Sequence, residues 1–185
     1  GWSGELSYEL YLQDRKLGNE LFEIVHEAAK EFNASVIAPN TIRTIEGGLL
    51  SYQSDFGREH NPYTIGLDRL VDVEQDIDFI GKEALRKIKE DGISNKLVGV
   101  EIDGDPIQKA PENFWPVFDI NSNNIGRLSR CFYSPRLKKN IGLAIIDIKF
   151  TEPGTPLVIE SPNAHLNAQV HELPWFPAEK STNLD

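Results

Sequence analysis

Leu97-Val98-Gly99-Val100-Glu101-Ile102 is the first of several short apolar stretches that fill the C-terminal half of the chain. Turn-forming residues separate these stretches, and no convincing helical period occurs between them. Short strands at this spacing are typical of a small sandwich or barrel. We therefore predict an all-β domain whose strands lie at residues 97–102, 115–120, 125–131, 141–147, 156–159 and 166–170.

The N-terminal half carries mixed patterns. Apolar and polar residues alternate from Leu6 to Leu12, which predicts a half-buried strand with Glu9 and Tyr11 on its polar face. Apolar residues then recur at three and four over residues 19–32, which predicts an amphipathic helix. The remaining predicted elements are a short strand at 36–37, a helix capped by Asn40, a loop over 51–63, a strand near 67–73 and a helix over 82–90.

The change in pattern near Ser94-Asn95 divides the chain. We predict an α+β fold in which residues 1–94 form an α+β segment, residues 95–177 an all-β domain and residues 178–185 a tail. Alternation begins within the first residues and Met is absent from the sequence, so we expect a chain cut from a longer one. Removal of an initiator Met before Gly1 is the alternative.

Composition limits the possible partners. The 185 residues include 29 Asp and Glu against 19 Lys and Arg, a formal charge of −10, which argues against nucleic acid as a partner. A single cysteine favours a reducing compartment. Since no apolar run approaches the length of a membrane-spanning helix and no leader opens the chain, we predict a soluble, cytoplasmic protein without a membrane partner.

Glu9 is the candidate with the most suggestive chemistry. A carboxylate accepts two hydrogen bonds in one plane, which suits a ligand edge with two adjacent N–H donors, such as a guanidinium or the amino-pyrimidinone edge of a pterin. Trp2, Tyr8 and Tyr11 offer flat surfaces beside it. The alternative is that Glu9 faces solvent on a half-exposed strand.

Other reactive residue types give no site. The four histidines lack the spacing of metal ligands, so we predict no metal centre. Cys131 has no base nearby in the sequence and is interpreted as a packed thiol rather than a nucleophile. No catalytic residue is assigned.

Five segments, in order, resemble one known family. Residues 1–10, residues 42–50 around Arg43 and the stretch Asp78-Phe79-Ile80-Gly81-Lys82-Glu83-Ala84-Leu85 are similar to its first-domain motifs. Residues 125–144 and 153–174 follow the order of its C-terminal barrel. The sequence thus resembles the aminomethyltransferase family, whose best-known member is the glycine cleavage T-protein, a tetrahydrofolate-dependent one-carbon transferase. The resemblance implies a partial folate-binding α+β domain followed by a small β-barrel.

Within the family, the demethylase branch is the most similar; its members move a methyl group from a sulfonium, dimethylsulfoniopropionate, to tetrahydrofolate. Glycine cleavage T-proteins usually place one arginine where Asn40 stands and another near Gln108, and both departures favour this branch. Aminomethyl transfer in glycine cleavage is the alternative. A non-catalytic folate-binding assembly module is a third reading, although Cys131 does not reproduce the cysteine motif of such relatives.

The resemblance also implies site residues and partners. Glu9 would grip the pterin edge, Trp2 and Tyr11 would lie beside the folate or its substrate, and Asn40 and Arg43 are weaker candidates that a helix cap and a surface ion pair also explain. The implied partners are tetrahydrofolate, a small-molecule methyl donor and a preceding half of the same protein. Apolar surface left without that half would favour a homodimer.

Overall fold

The computed structural model describes residues 6–38 and 40–177. Three α-helices lie in these residues, namely α1 (Gly18–Ala29), α2 (Thr41–Glu46) and α3 (Lys82–Asp91). Short 3-10 helices lie at Arg15–Leu17, Lys30–Phe32, Asp68–Leu70 and Ile148–Phe150. The described strands are β1 (Asn95–Ile102), β2 (Trp115–Phe118), β3 (Asn124–Ser134), β4 (Lys139–Asp147), β5 (Pro156–Glu160) and β6 (His165–His171).

The six strands close into an antiparallel barrel in the order β1-β4-β3-β2-β5-β6, with β6 pairing back to β1. Closure gives every strand two neighbours and leaves no open sheet edge. The predicted α+β class with a small β-barrel is therefore confirmed, and the barrel replaces the sandwich that the strand spacing also allowed.

Alternate residues of each strand fill the barrel interior. On β1 these residues are Val98, Val100 and Ile102, and on β4 they are Ala144 and Ile146. Burial of a valine or isoleucine side chain stabilises by roughly 1.5–3 kcal/mol relative to exposure. The rest of the interior is built from Val117, Leu128, Cys131, Leu157, Ile159, Ala168 and Val170.

Strand β4 is also buried on its outer face. Ile141 and Leu143 point away from the interior and pack with Ile45 of α2 in a second apolar cluster. The C-terminal strap, residues 172–177, covers the same face with Leu173 and Trp175. Burial on both faces explains why β4 reads as a nearly continuous apolar run.

A β-bulge interrupts β3. Leu128 pairs with Ala144 and Arg130 pairs with Leu143, so Ser129 is the extra residue in the ladder. Leu128 and Cys131 both point into the barrel, which leaves the two residues between them on the outer face. A bulge is the device that re-aims consecutive side chains to one side of a sheet.

The helices α2 and α3 follow their sequence signals. The Oδ1 atom of Asn40 accepts the N–H of Ile42 at 2.8 Å, which caps α2 as predicted. Gly47 closes α2, and Gly48 follows with φ +62°. Gly92, with φ +82°, ends α3 one residue later than expected.

The predicted strand at residues 6–12 is wrong. These residues have no regular structure, and no described residue between 6 and 38 is buried. A strand needs a neighbour to satisfy its backbone polar groups, and within residues 6–38 and 40–177 none pairs with this segment. The helix predicted over 19–32 is confirmed as α1 followed by the 3-10 turn Lys30–Phe32.

Two other strand predictions are also wrong. Residues 36–37 have no regular structure. The stretch near 67–73 contains the 3-10 helix Asp68–Leu70, in which the N–H of Val71 bonds to the Asp68 carbonyl. Of its apolar residues Val73 is buried and Leu70 is exposed, and the Val73 carbonyl accepts Nη2 of Arg86 in α3 at 3.0 Å in place of a ladder bond.

Candidate functional site

Glu9 and Tyr11 lie side by side within residues 6–12, which have no regular secondary structure. Both are exposed, and the Tyr11 hydroxyl donates to Oε2 of Glu9. This hydrogen bond, together with a smaller desolvation effect, raises the pKa of Tyr11 above its usual value. The third residue of this predicted group, Trp2, lies outside the described residues.

Asn40 and Arg43 lie together at the start of α2. Asn40 acts as the helix cap, and Nη1 of Arg43 lies 3.5 Å from Oε2 of Glu46, one turn further on. The Arg43 side chain is 39% exposed, so part of its guanidinium faces outward. The structure therefore brings the predicted residues together as two pairs, each on its own segment.

Glu46 is a buried carboxylate at the end of α2. Its side chain is 3% exposed, and Oε1 accepts the hydroxyl of Ser134 at 2.6 Å. Nη1 of Arg136 lies 3.6 Å from Oε2, so the carboxylate faces two guanidinium groups. The Glu46 carbonyl accepts the N–H groups of Trp175 and Phe176 in the strap. Glu46 thus joins α2, the β3–β4 turn and the strap.

Asp55 is the second buried carboxylate, and its exposed fraction is zero. Arg130 binds it with a planar fork, Nε to Oδ1 at 2.7 Å and Nη2 to Oδ2 at 2.6 Å. The Ser129 hydroxyl and the Ser51 N–H complete its acceptor set at 2.8 and 2.7 Å. A buried charge is tolerated when it is paired and hydrogen-bonded in this way.

A cavity of about 930 Å³ opens at one end of the barrel. Its walls are the loop after β1, with Gln108 and Phe114, the first residue of β2, Trp115, and the β5–β6 turn. This volume is within the range of small-molecule sites. The four predicted residues that are described, Glu9, Tyr11, Asn40 and Arg43, do not line it.

The loop that forms this cavity is tied to the N-terminal half. The guanidinium of Arg127 lies 4.2 Å from the centre of the Phe114 ring, and its Nη2 lies 3.4 Å from Oε1 of Glu59. Trp115 is partly buried and packs against the residues that fill the barrel interior.

Residues 46, 55, 129, 130 and 134 were missed as candidates by sequence reasoning. In the structure, Leu128 and Cys131 both face inward although they are three apart in a strand of period two, and only a bulge allows this spacing. The partners of Arg130 are up to 86 residues away along the chain, and such pairings leave no local pattern.

Cys131 points into the barrel, and its exposed fraction is zero. Burial raises the pKa of the Cys131 thiol to about 12, so the reactive thiolate is not populated near neutral pH. The packed-thiol interpretation is confirmed. In the part of the chain that the structure describes, no three His, Cys, Asp or Glu side chains cluster as metal ligands.

The described helices are all too short or too polar to cross a lipid bilayer.

An α+β segment joined to a closed six-stranded barrel defines the class of protein, and comparisons identify its family. The family model described as "GCVT N-terminal domain" matches residues 1–75, and the "Glycine cleavage T-protein C-terminal barrel domain" matches residues 95–177. The chain belongs to the glycine cleavage T-protein family.

The relatives that match this chain include a demethylase and aminomethyltransferases. Dimethylsulfoniopropionate demethylase from Ruegeria pomeroyi is 30% identical over 95% of this chain and 47% of its own length. Aminomethyltransferase from Geobacillus sp. is 36% identical over 97% of this chain and 49% of its own length. The chain therefore spans about half the length of the curated relatives it matches.

A solved structure supports the fold. The aminomethyltransferase T of the glycine cleavage system from Bartonella henselae superposes with a TM-score of 0.74, covering 86% of this chain and 45% of that one. The sequence identity is 19%.

Proposed function

We propose that this chain is the C-terminal part of a tetrahydrofolate-dependent one-carbon transferase of the dimethylsulfoniopropionate demethylase kind. The main support is that the two domain models of the family match successive parts of the chain, residues 1–75 and residues 95–177. In this proposal residues 1–94 belong to the folate-binding domain, residues 95–177 form the barrel domain and residues 178–185 are a tail.

The proposed folate contacts are Trp2, Glu9, Tyr11, Asn40 and Arg43. The chemistry of the described groups fits a folate: the exposed Glu9 carboxylate is an acceptor for a pterin edge, and the half-exposed Arg43 guanidinium suits a carboxylate tail. The Tyr11 hydroxyl already donates to Glu9 and would orient that carboxylate. Tetrahydrofolate would supply the ring nitrogen that accepts the one-carbon unit.

The proposed donor is a sulfonium. In a methyl transfer the carbon–sulfur bond breaks with its electron pair remaining on sulfur, a carbon–nitrogen bond forms to folate, and the nitrogen loses its proton. A sulfonium is already an activated leaving group, so holding the two reactants in line and excluding water would supply most of the acceleration. Aminomethyl transfer is the alternative, and the 36% identity to an aminomethyltransferase supports it.

A preceding half of the same protein is the proposed partner of the N-terminal segment. Residues 6–37 carry many large apolar side chains that are exposed in this chain, among them Tyr8, Leu10, Tyr11, Phe32 and Ile37. Relatives about twice as long provide sequence that would cover them. A homodimer through the same face is the alternative.

The test uses the protein with its upstream coding sequence included. We expect methyl transfer from dimethylsulfoniopropionate to tetrahydrofolate, measured against glycine-cleavage and methylated-amine donors in the same assay. Glu9→Gln should weaken tetrahydrofolate binding about tenfold or more, since a hydrogen bond to a charged group contributes roughly 1.5–3 kcal/mol. Glu23→Gln on α1 is the matched control and should bind as the parent does.

Other results would change the assignment. Transfer only from the aminomethyl donor would move the protein to the glycine cleavage reaction. Retained folate binding without transfer from any donor would favour the non-catalytic assembly module. Absence of folate binding in calorimetric titration of the longer protein would contradict the proposal altogether.

A further inference from the structure

We propose that Arg130 is a positioning residue: it fixes α2, and through α2 the residues Asn40 and Arg43, on the outer face of the barrel. This inference rests on the proposed function, since Asn40 and Arg43 are proposed folate contacts. It assigns to the barrel domain a part in shaping a site that lies on the preceding segment.

The contacts of Arg130 span the whole connection from α2 to the following loop. Its Nη1 donates to the Thr44 hydroxyl in α2 at 2.9 Å, and its Nη2 donates to the Leu49 carbonyl at 2.8 Å. Its fork binds Asp55 in the loop. One planar cation from β3 therefore holds three points within twelve residues of chain.

The helix α2 cannot hold itself in place. It has six residues, far below the length of roughly 12–15 at which an isolated helix becomes marginally stable in water. Its geometry is therefore set by what it docks against. Ile45 supplies an apolar contact with β4, but such contacts are non-directional. The hydrogen bond from Arg130 to the Thr44 hydroxyl fixes both distance and angle, as does the bond from Ser134 to Glu46.

The bulge in β3 makes the contact between Arg130 and Asp55 possible. It turns Ser129 and Arg130 to the same outer face, and both bind the same Asp55 oxygen, Oδ1. The Ser129 hydroxyl also lies 3.1 Å from the Leu143 carbonyl on β4. Without the extra residue, strict alternation would send one of the two side chains into the apolar interior.

The experiment compares two arginines on the same strand. Arg130→Met removes all five donors and keeps the length of the side chain, and Arg127→Met is the matched control on β3. Hydrogen exchange in the 185-residue chain is expected to accelerate about tenfold or more at the amides of residues 47–49, with a much smaller change in β4. The control should leave residues 47–49 unchanged.

The second readout separates positioning from general stability. In the protein with its upstream sequence, tetrahydrofolate affinity should fall about tenfold in Arg130→Met at a temperature where the variant is fully folded. Arg130→Lys keeps the charge but loses the fork, so it should restore only part of the affinity. Thr44→Val is the second variant in case Arg130→Met fails to fold. It removes the hydroxyl that accepts from Arg130 and donates to the Thr41 carbonyl, and a smaller loosening of α2 is expected.

Two results would overturn the proposal. One is unchanged exchange at residues 47–49 in Arg130→Met and Thr44→Val. The other is a loosened α2 with unchanged tetrahydrofolate affinity. If the parent protein binds no tetrahydrofolate, the proposed function fails and the functional part of this inference fails with it, while the exchange data still decide whether Arg130 positions α2.

Discussion

Ser134 at the end of β3 donates its hydroxyl to the carboxylate of Glu46, 2.6 Å away and 88 residues earlier in the chain. Both side chains are buried. Ser134→Ala would leave the Glu46 oxygen without that donor, so we expect a loss of about 1–3 kcal/mol in the free energy of unfolding, measured by urea denaturation. Ser54→Ala, at an exposed position, should stay within about 0.5 kcal/mol of the parent. Equal losses in the two variants would contradict the role of the pair.

Gly99 on β1 leaves room for the strap. A Cβ at this position would lie 2.8 Å from Cη2 of Trp175 and 3.0 Å from the His171 carbonyl. Gly99→Ala should therefore destabilise the protein by about 1–3 kcal/mol and change the tryptophan fluorescence, because the Trp175 ring must move.

Gly18 is the matched control for this substitution. A Cβ there would have no heavy atom within 4 Å, and its φ of −58° suits any residue. Gly18→Ala in α1 should stabilise by about 0.4–1 kcal/mol. If Gly99→Ala left the free energy of unfolding unchanged, this would show that the strap does not pack on β1 in solution.

Glu101 gives the barrel an acid-sensitive contact. Burial opposes its charged form, but Lys139 at 2.7 Å and Gln169 at 3.1 Å outweigh it and hold the pKa of Glu101 below the ordinary 4.5. Because the folded pKa is the lower one, the contact stabilises fully above pH 4.5 and its contribution is lost as the pH falls through the folded value. The effect is below about 1 kcal/mol, as for other partly exposed pairs.

The measurement is the urea midpoint as a function of pH. Glu101→Gln should lower the midpoint at neutral pH and reduce the loss of stability in acid, whereas Glu160→Gln, at an exposed position on β5, should give the parent's profile. If the urea midpoint of Glu101→Gln falls in acid as steeply as that of the parent, another carboxylate accounts for the loss of stability.

Cys131 should be inert to thiol reagents while the barrel is folded. The thiol is fully buried and its pKa is raised to about 12, so both access and thiolate formation are suppressed. Since the sequence has one cysteine, a colorimetric disulfide reagent reports this site alone. We expect reaction to follow urea unfolding, and rapid reaction under native conditions would contradict the packing of β3.

The barrel was predictable because its strands carry local signals. Alternation and turn residues placed the β1 and β4 strands within two residues of their observed starts. Closure was expected from the family resemblance and not from local patterns, because pairing of β6 with β1 joins residues about 70 positions apart. The predicted N-terminal strand is the opposite case. Residues 6–12 have the local pattern of a strand but no described neighbour to pair with.

The candidate site was only partly accessible from sequence. Asn40 as a cap could be inferred, because capping depends on neighbours two residues away. The pairing of Arg130 with Asp55 could not be inferred, because each residue on its own is of a type usually found at the surface. Only the tertiary fold buries the two together. The five predicted contacts rest on a family resemblance, and the structure adds Arg130, which bonds to Thr44 in the same helix as Arg43.

The two-sided burial of β4 sets a limit on how this protein can be divided. Cutting at Asn95 would isolate six complete strands, yet Ile141 and Leu143 would lose the cover that Ile45 provides and Arg130 would lose its counter-ion. A fragment intended for expression should therefore start near Asn40, so that α2 and its loop travel with the barrel as an outer wall.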